Sequence, residues 1–240
     1  MPKVEIPVLV YHRIGVAPAH ARHPDTYVHP RAFARQMALL KALGYRTIVP
    51  DDYIKLRQGR PCRVPPKPIL ITFDDGSATV LSEGLPLLKR HGFVAMVFMV
   101  SSRLGGPAVW DGETEASGHR QLTSAELRVL RGEGWTIGSH TVTHPRLIGL
   151  AAPERAKELA DSKNELEAAL GQEAACFAYP YGDFDPGLRE AVSRAGYRIA
   201  FATENGDGNA LSIPRRIISG RGGALRFLWR LRQARRMARR

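Results

Sequence analysis

The chain has 240 residues, of which 44% are hydrophobic and 24% charged, and its formal net charge is +12. A chain of this length and composition can bury one substantial core and is not typical of disordered, collagenous or disulfide-framework proteins. Cys62 and Cys176 are the two cysteines, too few for a disulfide framework, so we expect two reduced thiols.

Short apolar segments alternate with longer segments of helical period along the chain. The predicted strands are residues 6–11, 45–49, 68–73, 94–100, 135–139, 175–179 and 197–202. They are continuously apolar, which favours a parallel sheet covered by helices. No linker separates them, so the sequence predicts an α/β fold with a single domain, a distorted (β/α) barrel of about seven strands. A doubly wound open sheet is the alternative.

The segments between the strands have ordinary helix boundaries. Thr123 and Glu126 form a possible capping box, and Pro153 fits the first turn of a helix. The predicted helices cover residues 31–43, 76–91, 124–134, 153–170 and 186–195.

Polar side chains follow several of the predicted strands. In parallel α/β folds the carboxyl ends of the strands carry the chemistry, so in a barrel these side chains would meet on one rim. They are His12, Asp74, Asp75, His140, His144, Tyr181 and Asp183.

The adjacent acids Asp74 and Asp75 repel each other unless a cation offsets their charge. Two imidazoles and one carboxylate form a set of three ligands that leaves positions open for water and substrate, as a hydrolytic Zn²⁺ or similar ion requires. The second carboxylate can then accept a proton from water beside the cation. We therefore expect one acid to be a ligand and the other a base.

The ordered motifs T-F-D-D-G, H-T-x-x-H and Y-P-Y-G resemble those of the polysaccharide deacetylase (NodB-homology) superfamily, over about residues 6–220. The resemblance implies a metal-dependent N- or O-deacetylase on a distorted (β/α) barrel. It also implies that Asp74 is the catalytic base and that Asp75, His140 and His144 bind the metal.

The third motif implies that the backbone N–H of Tyr181, after Pro180, helps to stabilise the oxyanion. Two departures from the family pattern concern other groups. Ala178 stands where the motif usually has an arginine, and Arg215 is a candidate for the missing cation. The usual carboxy-terminal L-x-x-H-D motif is absent. The opening V-L-V-Y-H resembles rearranged members such as biofilm poly-N-acetylglucosamine deacetylases, so His12 is the expected general acid.

The expected function is metal-dependent removal of acetyl groups from N-acetylated sugars of a polysaccharide or glycolipid precursor. The metal is a divalent ion, with Zn²⁺ first and Co²⁺ or Ni²⁺ as alternatives. Two other functions stay open: hydrolysis of a small-molecule amide, and non-catalytic binding of a glycan or membrane.

The carboxy-terminal segment is strongly basic, because residues 215–240 contain ten arginines and no acid. Residues 1–222 are the predicted catalytic domain, and 223–240 a basic amphipathic tail. The tail either docks its apolar residues on the core or binds an anionic membrane surface or glycan, and a nucleic-acid partner is not expected. No secretory signal or membrane span is seen, so we expect a cytoplasmic protein that is peripheral at the inner face of the membrane.

The loop over residues 101–122 is either part of a sugar-binding wall, through Trp110 and Asp111, or a simple surface loop. The remaining histidines have no partner pattern, and no role is predicted for them. They are His20, His23, His29, His91 and His119.

Overall fold

The computed structural model describes residues 5–19, 21–112 and 119–239, so His20 lies outside the described residues. The strands are β1 (Val8–Tyr11), β2 (Arg13–Ile14), β3 (Tyr27–Val28), β4 (Arg46–Thr47), β5 (Pro68–Phe73), β6 (Met96–Met99), β7 (Thr136–Ser139), β8 (Cys176–Ala178), β9 (Ile199–Phe201) and β10 (Arg216–Ile217). Seven of them form a parallel sheet in the order β10–β1–β5–β6–β7–β8–β9. In addition β4 pairs with the start of β5, and β2 and β3 form a separate parallel pair.

The sheet curves into a distorted barrel, and residues 213–217 join its two ends. On one side β10 pairs with β1. On the other side Ile213 bridges to Phe201, and the backbone N–H of Arg215 donates to Thr203 O at 3.1 Å. The predicted single-domain α/β barrel of about seven strands is confirmed, although the short strand β10 was not predicted.

The helices are α1 (Pro30–Ala42), α2 (Pro50–Arg57), α3 (Leu85–Lys89), α4 (Ser124–Gly132), α5 (Ala152–Leu170), α6 (Pro186–Arg194) and α7 (Gly223–Met237). The capping box is confirmed, since Thr123 Oγ1 accepts from the Glu126 N–H and the Glu126 carboxylate accepts from the Thr123 N–H. A wide π-type turn, Val80–Gly84, precedes α3, and α2 was not predicted.

Helix α7 packs on the barrel. Its side chains Phe227, Leu231 and Ala234 belong to the core cluster that includes Leu9 of β1 and Phe33 of α1. The apolar residues of the tail therefore dock on the core, which was one of the two alternatives. The domain boundary after residue 222 stays a prediction. Both cysteines are free, as predicted. Among the described residues no helix is long and apolar enough to cross a membrane.

Candidate active site

The polar residues at the strand ends, except Asp183, meet in one cavity of about 180 Å³ at the carboxyl ends of the strands. Asp183 was expected on the same rim, but it lies outside the cavity wall and forms an ion pair with Arg146. Loops that follow β1, β5, β7 and β8 supply them, together with the loop that precedes α4. The predicted site residues in the cavity wall are His12, Asp74, Asp75, His140, His144 and Tyr181. Pro180 is the buried residue before Tyr181, and Arg215 lies behind the wall against Asp74.

Asp75, His140 and His144 form a compact group that could hold a metal ion. The Nε2 atoms of His140 and His144 lie 3.6 and 3.5 Å from Asp75 Oδ1. Two metal bonds of about 2.1 Å at a tetrahedral angle place their ligand atoms about 3.4 Å apart. The distance from Asp75 Oδ1 to each imidazole nitrogen therefore fits one divalent cation.

The protonation of this group also fits a cation. His140 Nδ1 lies 2.7 Å from Ala178 O, and a carbonyl only accepts, so Nδ1 carries the proton and Nε2 offers its lone pair. Burial lowers the pKa of His140. Burial and the neighbouring His140 lower the pKa of His144 to about 3. Burial raises the pKa of Asp75, but the charges of His12, His144 and His140 together lower it by more, so the pKa lies below its usual value and the carboxylate is ionised.

The backbone at the site is strained at several positions. Four non-glycine residues of the described chain have a left-handed φ, and all lie in loops that follow β5, β7 and β8: Asp75 (69°), Thr141 (71°), His144 (65°) and Tyr181 (61°). Each such conformation costs about 1–3 kcal/mol and persists only where the surroundings enforce it. Gly76 is also left-handed, and a Cβ there would lie 2.2 Å from Met99 Sδ. The glycine of D-D-G is therefore required by both conformation and space.

The loop between His140 and His144 is fixed by Glu158 of α5. Its carboxylate accepts hydrogen bonds from the N–H of Val142 (2.8 Å), the N–H of Thr143 (3.0 Å) and Thr143 Oγ1 (2.6 Å). The N–H of His144 donates to Thr141 Oγ1 at 3.0 Å. Glu158 was not predicted, because its position on a polar helix surface gives no sequence signal.

Asp74 forms a buried, two-pronged ion pair with Arg215. Both carboxylate oxygens accept from the guanidinium at 2.7 Å, and the Arg215 side chain is completely buried against the rings of Phe98 and Phe201. Burial raises the pKa of Asp74, but the charge and hydrogen bonds of Arg215, together with the charges of His140 and His12, outweigh burial and lower the pKa to about 2. The structure thus places the cation of Arg215, which comes late in the sequence, against Asp74. Ala178, at the position where the third motif usually has an arginine, carries no charge.

His12 lines the same cavity, as its place after β1 predicts. Its Nδ1 atom is buried and has no hydrogen-bond partner among the described residues. No hydrogen bond among the described residues therefore fixes the His12 ring through Nδ1, and its role as the general acid stays a prediction.

Aromatic rings enclose the metal-ligand group. The Trp110 ring stacks on the His144 imidazole with centroids 4.6 Å apart, and the Tyr181 ring meets it edge-on at 4.8 Å. Asp111 also lines the cavity and accepts a 2.6 Å hydrogen bond from buried Arg13. Trp110 and Asp111 therefore form a wall of the cavity, and the binding of a sugar by this wall stays a prediction.

Two residues have places that the sequence did not predict. No role was predicted for Arg13. The available sequence signal was a charged residue directly after His12 and before the apolar Ile14. His23, for which no role was predicted, reaches the cavity edge, with Nε2 3.9 Å from Asp111 Oδ1.

The family model described as Polysaccharide deacetylase matches residues 63–200, which is more than half of the chain. The chain belongs to the polysaccharide deacetylase family, and the resemblance seen in its motifs is confirmed. It is 28% identical to YxkH of Bacillus subtilis over 84% of this chain and 66% of that protein. It is 22% identical to the poly-beta-1,6-N-acetyl-D-glucosamine N-deacetylase of Staphylococcus epidermidis over 80% of this chain and 68% of that protein. The chain thus spans about two thirds of the length of these relatives.

Two solved structures are similar over nearly the whole chain. The Streptococcus pyogenes deacetylase PplD, in complex with acetate, has a TM-score of 0.78 at 25% identity and covers 95% of this chain and 99% of its own. IcaB from Ammonifex degensii has a TM-score of 0.74 at 25% identity and covers 99% of this chain and 98% of its own. The similarity supports the barrel as the family fold.

Proposed function

We propose that this protein is a metal-dependent hydrolase that removes acetyl groups from N-acetylated sugars of a polysaccharide or glycolipid precursor. One observation carries the proposal: the Asp75, His140 and His144 donors line the same cavity as Asp74, which is paired with Arg215. The three donors would hold a divalent cation, with Zn²⁺ the first candidate. When bound, that cation supplies a Lewis acid that polarises the acetyl carbonyl.

Asp74 is the proposed general base, which takes a proton from the attacking water. A carboxylate oxygen has two acceptor sites, so the hydrogen bonds from Arg215 leave capacity for the water. The guanidinium keeps Asp74 ionised through the acid range, and its two parallel bonds fix the direction of the carboxylate. Arg215 is thus a positioning residue.

The leaving group and the oxyanion need separate donors. The N–H of Tyr181, in the left-handed turn that Pro180 begins, is the proposed donor to the oxygen on which negative charge develops. His12 is the proposed general acid, which gives a proton to the sugar nitrogen as the C–N bond breaks. Water and an acetamido sugar then yield acetate and an amino sugar.

The shape of the site supports a sugar substrate. Tyr181 is 45% exposed and Trp110 stacks on His144, so two aromatic rings border the reacting group. Relatives named as deacetylases of poly-beta-1,6-N-acetyl-D-glucosamine and of chitin support an N-acetylglucosamine polymer as the substrate class.

The test measures acetate released by purified protein from β-1,6-linked N-acetylglucosamine oligomers and from chitin oligomers, with and without a chelator. We expect release from an oligomer that stops with the chelator and returns with Zn²⁺ or Co²⁺. A parallel assay offers small cyclic and linear amides. Hydrolysis of those amides alone, or no metal-dependent acetate from any acetylated glycan, would overturn the proposal.

A further inference from the structure

Helix α7 has two faces of different character. One face is buried against the barrel through Phe227, Leu231, Ala234 and Met237. On the opposite side, residues at i, i+4, i+7 and i+11 form a single stripe. This stripe, with one arginine at its edge, is called the outer face, and it consists of Leu225, Trp229, Arg232, Arg236 and Arg226.

The amino-terminal end of the outer face is apolar and open to solvent. Leu225 is 84% exposed and Trp229 is 53% exposed. The Arg216 guanidinium lies 5.4 Å from the centre of the Trp229 ring, and the next residue, Ile217, lines the catalytic cavity. The apolar end of α7 is therefore separated from the cavity wall by a single residue of β10.

The remainder of the outer face is cationic and has no acid beside it on the helix. Arg235 of α7 and Arg239, just after the helix, both pair with Glu5. Within the described part of the chain the three arginines of the outer face form no ion pair. Burial, and after it the charges of Arg226 and Arg216, lower the pKa of the neighbouring Arg230. This surface therefore carries uncompensated positive charge.

We propose that the outer face of α7 docks the protein on a lipid bilayer that contains anionic phospholipid. The headgroups supply the charge that the arginines lack, while Leu225 and Trp229 enter the interfacial layer, where tryptophan is favoured. A polyanion such as a nucleic acid would pair with the arginines and leave Leu225 in water, so the combination of side chains fits lipid better. Docking follows from α7 alone and does not depend on the deacetylase activity.

The test is flotation of the full chain with vesicles of phosphatidylcholine, alone or with about one third phosphatidylglycerol. We expect binding to the anionic vesicles only, and its loss in high salt. Each arginine at an anionic surface contributes about fivefold to partitioning, so R232Q/R236Q should bind about 30-fold more weakly. The matched control is R60Q/R63Q, which removes two exposed arginines from the loop before β5 and should bind like wild type.

A second variant separates lipid docking from simple charge attraction. The change Trp229→Ala should weaken vesicle binding severalfold and abolish the blue shift of tryptophan fluorescence that vesicles cause. Unchanged thermal stability of these surface variants shows that folding is intact. Three results would overturn the proposal: no binding of wild type to the anionic vesicles, equal weakening by both arginine pairs, or full binding by the Trp229→Ala protein.

Discussion

Replacing Arg215 by methionine removes one partner of the buried ion pair and leaves the Asp74 carboxylate without its two 2.7 Å hydrogen bonds. Methionine retains most of the side-chain volume against Phe98 and Phe201, so the main loss is electrostatic. Breaking a buried pair from one side costs about 3–5 kcal/mol, because an uncompensated charge stays in the interior. That is a large share of the roughly 5–15 kcal/mol that stabilises a folded domain, and for 240 residues it lowers Tm by about 10 °C.

The assay is urea unfolding at neutral pH in the presence of a chelator, so that metal loss does not contribute. A double-mutant cycle isolates the pair: D74N/R215M removes both charges and should recover at least about 2 kcal/mol relative to R215M. The control Arg215→Lys keeps the charge but cannot make the two-pronged contact, so its loss should be intermediate. An R215M protein within about 1 kcal/mol of wild type, or no recovery in the double variant, would refute the reasoning.

Three further predictions concern the general acid, a pH-dependent cap and the metal-ligand loop. His12→Ala should cripple deacetylation of N-acetyl sugars and largely spare an activated aryl acetate, whose leaving group needs no proton; equal modest losses on both, with lower Tm, would indicate a structural histidine. The Arg120 hydrogen bonds, against the effect of burial, lower the pKa of Glu126 to about 2. Because the folded-state pKa is depressed, the ionised Glu126 stabilises the fold above about pH 4.5, and this stabilisation is lost as the pH falls towards 2. The E126Q protein should therefore lose about 1–2 kcal/mol of unfolding free energy in urea at neutral pH and nothing near pH 2. An equal loss at both pH values would contradict this. Glu158→Gln should weaken Zn²⁺ affinity at least about tenfold by calorimetry, with little change in metal-free Tm, whereas Glu154→Gln, on the same helix, should leave affinity unchanged; equal affinities would show that Glu158 does not position the loop.

The barrel and the site's main residues were predictable because they depend on local pattern. Seven continuously apolar segments indicate buried parallel strands, and the side chain after each strand must then lie on one rim. Asp74, Asp75, His140 and His144 stand in such positions, and the structure brings them to one cavity.

The remaining contacts depend on tertiary packing that leaves little trace in the sequence. β10 has two residues, too few for a periodic signal, and it is stabilised by β1. The pairing of Arg215 with Asp74, only a weak expectation from the sequence, joins residues 141 positions apart. Whether the tail docks on the core or binds an anionic surface was undecided, because its apolar residues lie on both faces of α7: Phe227 is buried, whereas Leu225 is exposed.

The division of roles between Asp74 and Asp75 is tested most directly by the metal content of the Asp74→Asn protein, measured beside its rate of acetate release. We expect this protein to keep a full equivalent of metal while its rate falls by about 10²–10⁴, as the loss of a general base entails. The Asp75→Asn protein should lose metal and activity together. An Asp74→Asn protein that folds but does not retain metal, or an Asp75→Asn protein with full metal, would contradict the proposed roles.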